Sequence, residues 1–244
     1  MDNTLWILFL LMPLFAFLYS SVGHGGASSY IMMLTLFHFA PEHIRPSALV
    51  LNIIISGIAF YSFWRACDFP YKLFFSLVAF SIPAAYLGGS FTVNTTVYRY
   101  ILGILLLFPT LRLFNVFPLN TKEILKKNIA LIALLGITIG FVSGLIGIGG
   151  GILLSPVLLM LGWTDVKETS AVSALFILVN SIAGLASSTG FHFVIPQNIM
   201  VIMPLTIVGG ILGAYYGSSK FNIQSLKYLL GVVLLIASAK FLIK

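Results

Sequence analysis

The sequence predicts an all-α integral membrane protein built from two repeated halves, and three observations carry the prediction. Apolar residues make up 59% of the chain and charged residues 8%, where an ordinary soluble domain is roughly a quarter charged. Three long stretches, Asn3 to Pro41, Asn128 to Thr164 and Thr169 to Ser219, hold no Asp, Glu, Lys or Arg. Two glycine-rich clusters then recur at matching points. Apolar runs of about 18 or more residues read as spanning helices, because an unpaired backbone group in hydrocarbon costs several kcal/mol.

Polar and proline clusters divide the chain into two series of apolar segments. The first lies at about residues 5–20, 28–40, 46–64, 73–91 and 97–114; the second at about 129–145, 150–162, 169–189, 197–218 and 224–243. The opening Met1-Asp2-Asn3-Thr4 is acidic where a cleavable signal peptide is basic, so the first segment is expected to be retained. The second segment of each half, about 13 residues at ~1.5 Å each, falls short of a hydrocarbon core ~30 Å thick and does not span alone. The three segments after it are of spanning length. Phe117 to Asn128, with Lys122, Glu123, Lys126 and Lys127, is the most hydrophilic stretch. It divides a first transmembrane repeat, 1–116, from a second, 129–244, with 117–128 as the linker.

The halves correspond in order. Val22-Gly23-His24-Gly25-Gly26 stands opposite Ile146-Gly147-Ile148-Gly149-Gly150, and Ser47-Ala48 opposite Ser170-Ala171. Pro83 followed by Gly88-Gly89 matches Pro204 followed by Gly209-Gly210, and Arg99-Tyr-Ile-Leu-Gly103 matches Lys227-Tyr-Leu-Leu-Gly231. Shared Leu, Ile and Gly explain any single match by composition; four in one order argue for duplication. Two-repeat architecture is typical of secondary transporters, with the site at the repeat interface near the bilayer midplane.

If the first two segments of each half form a re-entrant pair with no net crossing, each half crosses three times and the halves are inverted. The basic residues then split nine to four, with Arg65, Lys72, Arg112, Lys122, Lys126, Lys127, Lys167, Lys220 and Lys227 on one side. A parallel arrangement splits them eight to five. The excess of positive charge on cytoplasmic loops favours inversion, with both termini outside.

The net charge of +7 comes from basic residues scattered over segment ends rather than gathered on one face, so it signals topology and not nucleic acid. Cys67 is alone, which leaves no disulfide and no cysteine metal site. All six acids stand at segment ends, so no carboxylate is placed for a mid-membrane proton relay or cation site. No zinc, nucleophile-elbow or cysteine-pair motif is present. Neither an enzyme nor a cofactor is expected.

The glycine clusters are the candidate site. Interior glycines cost a helix about 1 kcal/mol each relative to Ala, and irregular backbone in a membrane survives only where it is buried or lines a cavity. Each following segment begins at a break and offers a helix N-terminus with partial positive charge, suited to an anion. The competing reading is close helix packing, which suits Gly136, Gly140 and Gly144 and, in the first half, Ala16 and Ser20. A dinucleotide-binding loop is excluded, since it needs a strand in a soluble unit. The substrate-binding set is Gly23, His24, Gly25, Gly26, Ser28, Ser29 and Asn52 from the first half. Gly147, Gly149, Gly150, Gly151, Ser155, Ser173 and Asn180 complete it from the second. Hydroxyls and amides donate hydrogen bonds to an oxyanion, and Ser47, Thr169, Ser170 and Ser181 are placed to face the same cavity. His24 is the one titratable residue inside a break and either contacts the anion or caps a freed carbonyl. His38, His43 and His192 lie at segment ends and read as interfacial.

Gly140-Phe-Val-Ser-Gly-Leu-Ile-Gly-Ile-Gly-Gly-Gly-Ile-Leu-Leu-Ser-Pro156, followed by Glu168-Thr-Ser-Ala171 and Asn180-Ser181, resembles the sulfite exporter TauE/SafE family of membrane transporters. The first half departs from that pattern at His24 and at Ser28-Ser29-Tyr30. The resemblance implies a multi-pass protein of the cell membrane, the inner membrane in a Gram-negative source, that moves sulfite or a related organosulfur anion. Alternating access between the halves is the expected mechanism, with an anion channel or an intramembrane enzyme as alternatives. The expected partners are the small anionic substrate, the lipid bilayer and a second copy in a homodimer.

Overall fold

The computed structural model describes residues 5–91, 127–189 and 193–242, and among them every regular element is helical. The elements are α1 (Leu5–Ser20), α2 (Ala27–Leu36), α3 (Pro41–Trp64), α4 (Tyr71–Gly89), α5 (Ile129–Ile146), α6 (Gly151–Leu161), α7 (Val166–Thr189), α8 (Gln197–Tyr215) with a π-turn at Tyr216–Lys220, and α9 (Ile223–Leu242). The segment expected at 97–114, the Arg99-to-Gly103 match, His192 and most of the linker lie outside the described residues. Five helices, Glu42–Trp64, Tyr71–Gly89, Ile129–Ile146, Val166–Ser187 and Gln197–Lys220, are long and apolar enough to cross a membrane. The chain is therefore a multi-pass membrane protein.

The distribution of polarity fits lipid on the outside. Leu10, Phe75, Leu87, Leu134 and Val201 are exposed, while Ser20, His24, Asn52, Ser56, Ser143, Ser155, Ser173 and Ser181 are buried. Apolar helices gain nothing from water exclusion inside a bilayer, so close packing and polar contacts must hold them together. The second helices, α2 and α6, have 10 and 11 residues and reach only ~15 Å. Helix α3 starts five residues earlier than its apolar run suggested. Pro41 opens it at a position where the missing N–H has no partner to lose, so Arg45 falls inside the helix.

Two glycine seams fix the packing. Gly209 and Gly213 of α8, continued by Gly217, lie on the carbonyls of Pro13, Phe17 and Ser21 along α1. Gly136, Gly140 and Gly144 of α5 lie in the same way on Leu77, Ser81 and Ala85 of α4. Partner numbers rise together in both seams, so each pair runs parallel. The hydroxyl of Ser20 bonds to the carbonyl of Gly210 and adds a polar tie to the first seam.

Other contacts give the remaining directions. Asn52 meets Ser181 and Gly57 meets Leu178, so α3 and α7 are antiparallel. Ile44 packs with Ile199 and Ile55 with Gly210, so α8 runs with α3. Gly89 sits on Ser187, while Ile82 and Val179 line one apolar surface, so α4 runs with α7. Ala27 meets Asn52 and Leu34 packs with Ile44, which sets α2 against α3; Gly151 meets Ile177 and Ser155 meets Ser173, which sets α6 against α7. With α3 taken as ascending, α1 and α8 ascend and α4, α5 and α7 descend. Short α2 descends from mid-height, and short α6 ascends from it.

The turn after α3 meets the start of α7. Burial pushes the Cys67 thiol up to about 11, and the negative charges of Asp165, Glu168 and Asp68 add to the effect.

Two outcomes follow. At Gly144 an added Cβ falls well inside contact with the Ala85 carbonyl, whereas at Gly184 its nearest neighbour is 3.8 Å away. Gly144→Ala should cost about 2 kcal/mol or more, and Gly184→Ala should be neutral or stabilising through helix propensity; detergent thermal melts of both variants decide this. The raised thiol leaves about one Cys67 in a thousand as thiolate near pH 8. Its maleimide labelling should therefore be slow there and rise about tenfold per pH unit up to about pH 10. Labelling near pH 8 at the rate of a free thiol would contradict the placement of this turn.

Candidate functional site

Both breaks are built from backbone that only glycine takes without strain. After α1, Gly23 and Gly26 hold φ of +80° and +91°, and Gly26 caps α2. After α5, Gly147 ends the helix by donating its N–H to the Ser143 carbonyl at 2.8 Å, and Gly150, at φ +76°, caps α6. These left-handed conformations turn the chain back on itself within a few residues. Two short helices thus begin near mid-height and point their N-termini at a common centre from opposite directions.

Asn52, halfway along α3, occupies that centre. Its Oδ1 accepts from the backbone N–H of Ala27 at 3.2 Å, the first residue of α2. Its Nδ2 donates to Ser181 Oγ at 2.8 Å and to the Ile148 carbonyl, inside the second break, at 3.4 Å. A Cβ on Gly25 would strike Asn52 Oδ1, and one on Gly149 would stand 2.7 Å from Asn52 Nδ2 and 2.8 Å from Ser181 Oγ. These two glycines are glycines because one amide must reach both breaks.

A second bridge runs beside the first. His24 Nε2 lies 2.8 Å from Ser155 Oγ on α6, and Ser155 Oγ donates to Ser173 Oγ on α7 at 2.7 Å. The Tyr19 ring flanks the imidazole at 6.4 Å between centroids, and its hydroxyl accepts from Ser28 Oγ at 3.1 Å. Ser29 is buried beside that phenol. Gly151 packs on Ile177 and the Ser173 carbonyl, and Gly150 on Ser143 and Phe176. His24, Asn52, Ser155, Ser173 and Ser181 are all at most 1% exposed, so the centre is closed to both sides.

The structure thus gathers His24, Gly25, Asn52, Gly149, Gly151, Ser155 and Ser173 around one point, with Ser28 and Ser29 joined through Tyr19. Gly26 packs on the Tyr30 ring and Gly23 on the Ser170 backbone. Asn180 is buried but turns to its own helix, where Nδ2 donates to the Phe176 carbonyl at 2.8 Å. His43, read as interfacial, has Nδ1 3.0 Å from the Val194 carbonyl at a helix start.

Two further neighbours of the centre lie outside the residue pattern, and a third, Ser181, stands in it only as one hydroxyl among several facing the cavity. Tyr19 looked like the end of an apolar run. Arg45 looked like a segment-end charge, yet its side chain lies beside Gly147 and its guanidinium donates to the carbonyls of Gly144 and, at 3.5 Å, Gly89. It thereby supplies positive charge where α4 and α5 end, the sign a helix C-terminus favours.

The centre offers backbone dipoles, hydroxyls and an amide. The described acids, Glu42, Asp68, Asp165 and Glu168, stand in loops or first helical turns away from it. Among the described residues no three His, Cys, Asp or Glu side chains are grouped to hold a metal ion. Such a set stabilises negative charge by orientation rather than by ion pairing.

Comparison with known proteins gives a concordant picture. The family model described as "Sulfite exporter TauE/SafE" matches residues 8–241. A Sinorhizobium fredii protein described as "Probable membrane transporter protein y4hK" is 30% identical over 238 residues, covering 93% of this chain and 94% of that one. The Bacillus subtilis "Probable membrane transporter protein YdhB" is 24% identical, covering 89% and 91%. No solved structure matches the chain.

Asn52→Ala should leave the Ser181 hydroxyl and the Ala27 N–H without their partner and cost about 2 to 4 kcal/mol. Asn180→Ala removes one local bond and should cost less than half as much. Equal losses in thermal melts of the two variants would remove Asn52 from its central role.

Proposed function

Since the chain belongs to the sulfite exporter TauE/SafE family, we propose that it moves a small anion, sulfite or a related organosulfur anion, across the cell membrane by alternating access. The observation that carries this reading is the convergence of two half-helix N-termini on Asn52 and on the His24–Ser155–Ser173 chain, with no acid beside them among the described residues. A carboxylate there would repel the substrate; oriented N–H groups and hydroxyls attract it at no cost in fixed charge.

The helix directions support reading residues 1–116 and 129–244 as inverted repeats joined by 117–128. Helices α1, α3 and α4 run up, up and down, and their counterparts α5, α7 and α8 run down, down and up. A pair of inverted repeats places equivalent surfaces on the two sides of the membrane, so one scaffold opens either way around a fixed site. Closure of the centre on both sides favours a carrier over an open channel. Across a membrane negative inside, export of each unit of negative charge gains about 2.3 kcal/mol per 100 mV, so outward transport needs no further energy source.

Purified protein in proteoliposomes should give saturable flux of radiolabelled sulfite, and Gly149→Val, which drives a side chain into Asn52 and Ser181, should abolish most of it. Absence of any anion flux from the unaltered protein would falsify the proposal, and ohmic currents without saturation would make it a channel.

A further inference from the structure

The two breaks share their three glycines and differ in polarity at one position: His24 stands in the first where Ile148 stands in the second. The imidazole is 1% exposed and its two nitrogens have unlike surroundings. Ser155 has one hydroxyl hydrogen, and that hydrogen goes to Ser173 Oγ. That arrangement suits the tautomer in which Nε2, 2.8 Å from Ser155 Oγ, donates and Nδ1 presents a lone pair. A hydrogen bond with the Gly151 backbone also reaches the ring, while Nδ1 itself meets no group in full hydrogen-bond geometry. A buried acceptor left without a donor costs about 1–3 kcal/mol.

We propose that His24 Nδ1 is a substrate contact that selects oxyanions still carrying one O–H, and that this proton crosses the membrane with the anion. The inference rests on the transport reading above and deepens it by naming the protonation state of the cargo. The centre would then hold two kinds of partner for a bound anion. The N-termini of α2 and α6 favour bare, negatively charged oxygens, and Nδ1 accepts from an oxygen that keeps its hydrogen. A hydrogen oxyanion such as hydrogen sulfite has both. Sulfate near neutral pH and a simple alkyl sulfonate have only bare oxygens, which would face the Nδ1 lone pair acceptor to acceptor.

The titratable neighbour of the ring is Tyr19, with Tyr30 beyond it. No carboxylate, lysine or arginine among the described residues acts on His24, so the preference is set by this one nitrogen. The proton count closes in either form of the complex. A hydrogen anion beside neutral His24 and a dianion beside imidazolium hold the same proton, and both release one proton with one anion and return the ring to neutral.

The test uses the purified chain in proteoliposomes, with initial rates for sulfite, sulfate and methanesulfonate at about pH 6 and about pH 8. Methanesulfonate separates the two explanations of any acid preference, because it is a monoanion without an O–H. The unaltered protein should move sulfite faster at the lower pH, acidify a trapped dye as sulfite enters, and move the other two anions at least about tenfold more slowly. In His24→Gln the side-chain amide can keep the donor to Ser155 while giving up the acceptor, so the melting temperature should hold and the preference should fall about tenfold. His24→Asn, whose amide reaches the Nδ1 position, should keep the preference even though it no longer bonds to Ser155. Sulfite flux that is flat with pH, methanesulfonate moving as fast as sulfite, or unchanged selectivity in His24→Gln would each overturn the inference and leave transport standing. No flux of any anion would instead count against the transport reading itself.

Discussion

A helix interrupted in the middle of a bilayer exposes backbone groups that hydrocarbon cannot satisfy, and most of this architecture follows from how that debt is met. Asn52 meets it at both breaks at once, because an amide is donor and acceptor in one side chain. Its Oδ1 holds the first N–H of α2 and its Nδ2 holds a carbonyl of the second break. That reach is possible only if nothing stands between, which is why Gly25 and Gly149 flank it. One side chain on a continuous helix thereby sets the separation of the two half-helix N-termini, and through them the field at the candidate anion site.

The rest of the packing obeys the same scarcity of driving force. With lipid outside and apolar residues on both surfaces of every helix, burial gives little reason for any pair to meet. Backbones approach closely where glycines repeat at every fourth position, and serine hydroxyls supply the remaining specificity. The inside of the bundle consequently holds buried hydroxyls and amides among its apolar residues.

Composition made the membrane class and the segment order legible, because both depend on long averages over apolar residues. The breaks were legible for a different reason: a cluster of glycines has no use in an uninterrupted spanning helix. The start of α3 was not, since Pro41 and Pro46 look like punctuation until the first is seen to open the helix, and Arg45 was hidden with them. Choosing among polar residues was beyond local pattern. Asn52 and Asn180 are the same residue type on comparable helices, and what separates them is contact with residues 25, 96 and 129 positions away in the chain.

The two glycine seams also decide which parts of the molecule can move as solids. Each seam joins a helix of one half to a helix of the other, α1 to α8 and α4 to α5, with backbone touching backbone and no side chains between to act as a lubricant. Sliding along such a contact would drive carbonyls into Cα atoms, so each seam behaves as a weld. Each welded pair is then a hybrid, with one helix from either half of the chain. Between the seams α3 crosses α7 through the Gly57–Leu178 contact, small residues such as Ala59 and Ala174, and the bond from Asn52 to Ser181. The amide at the centre is in that sense a clasp between α3 and α7.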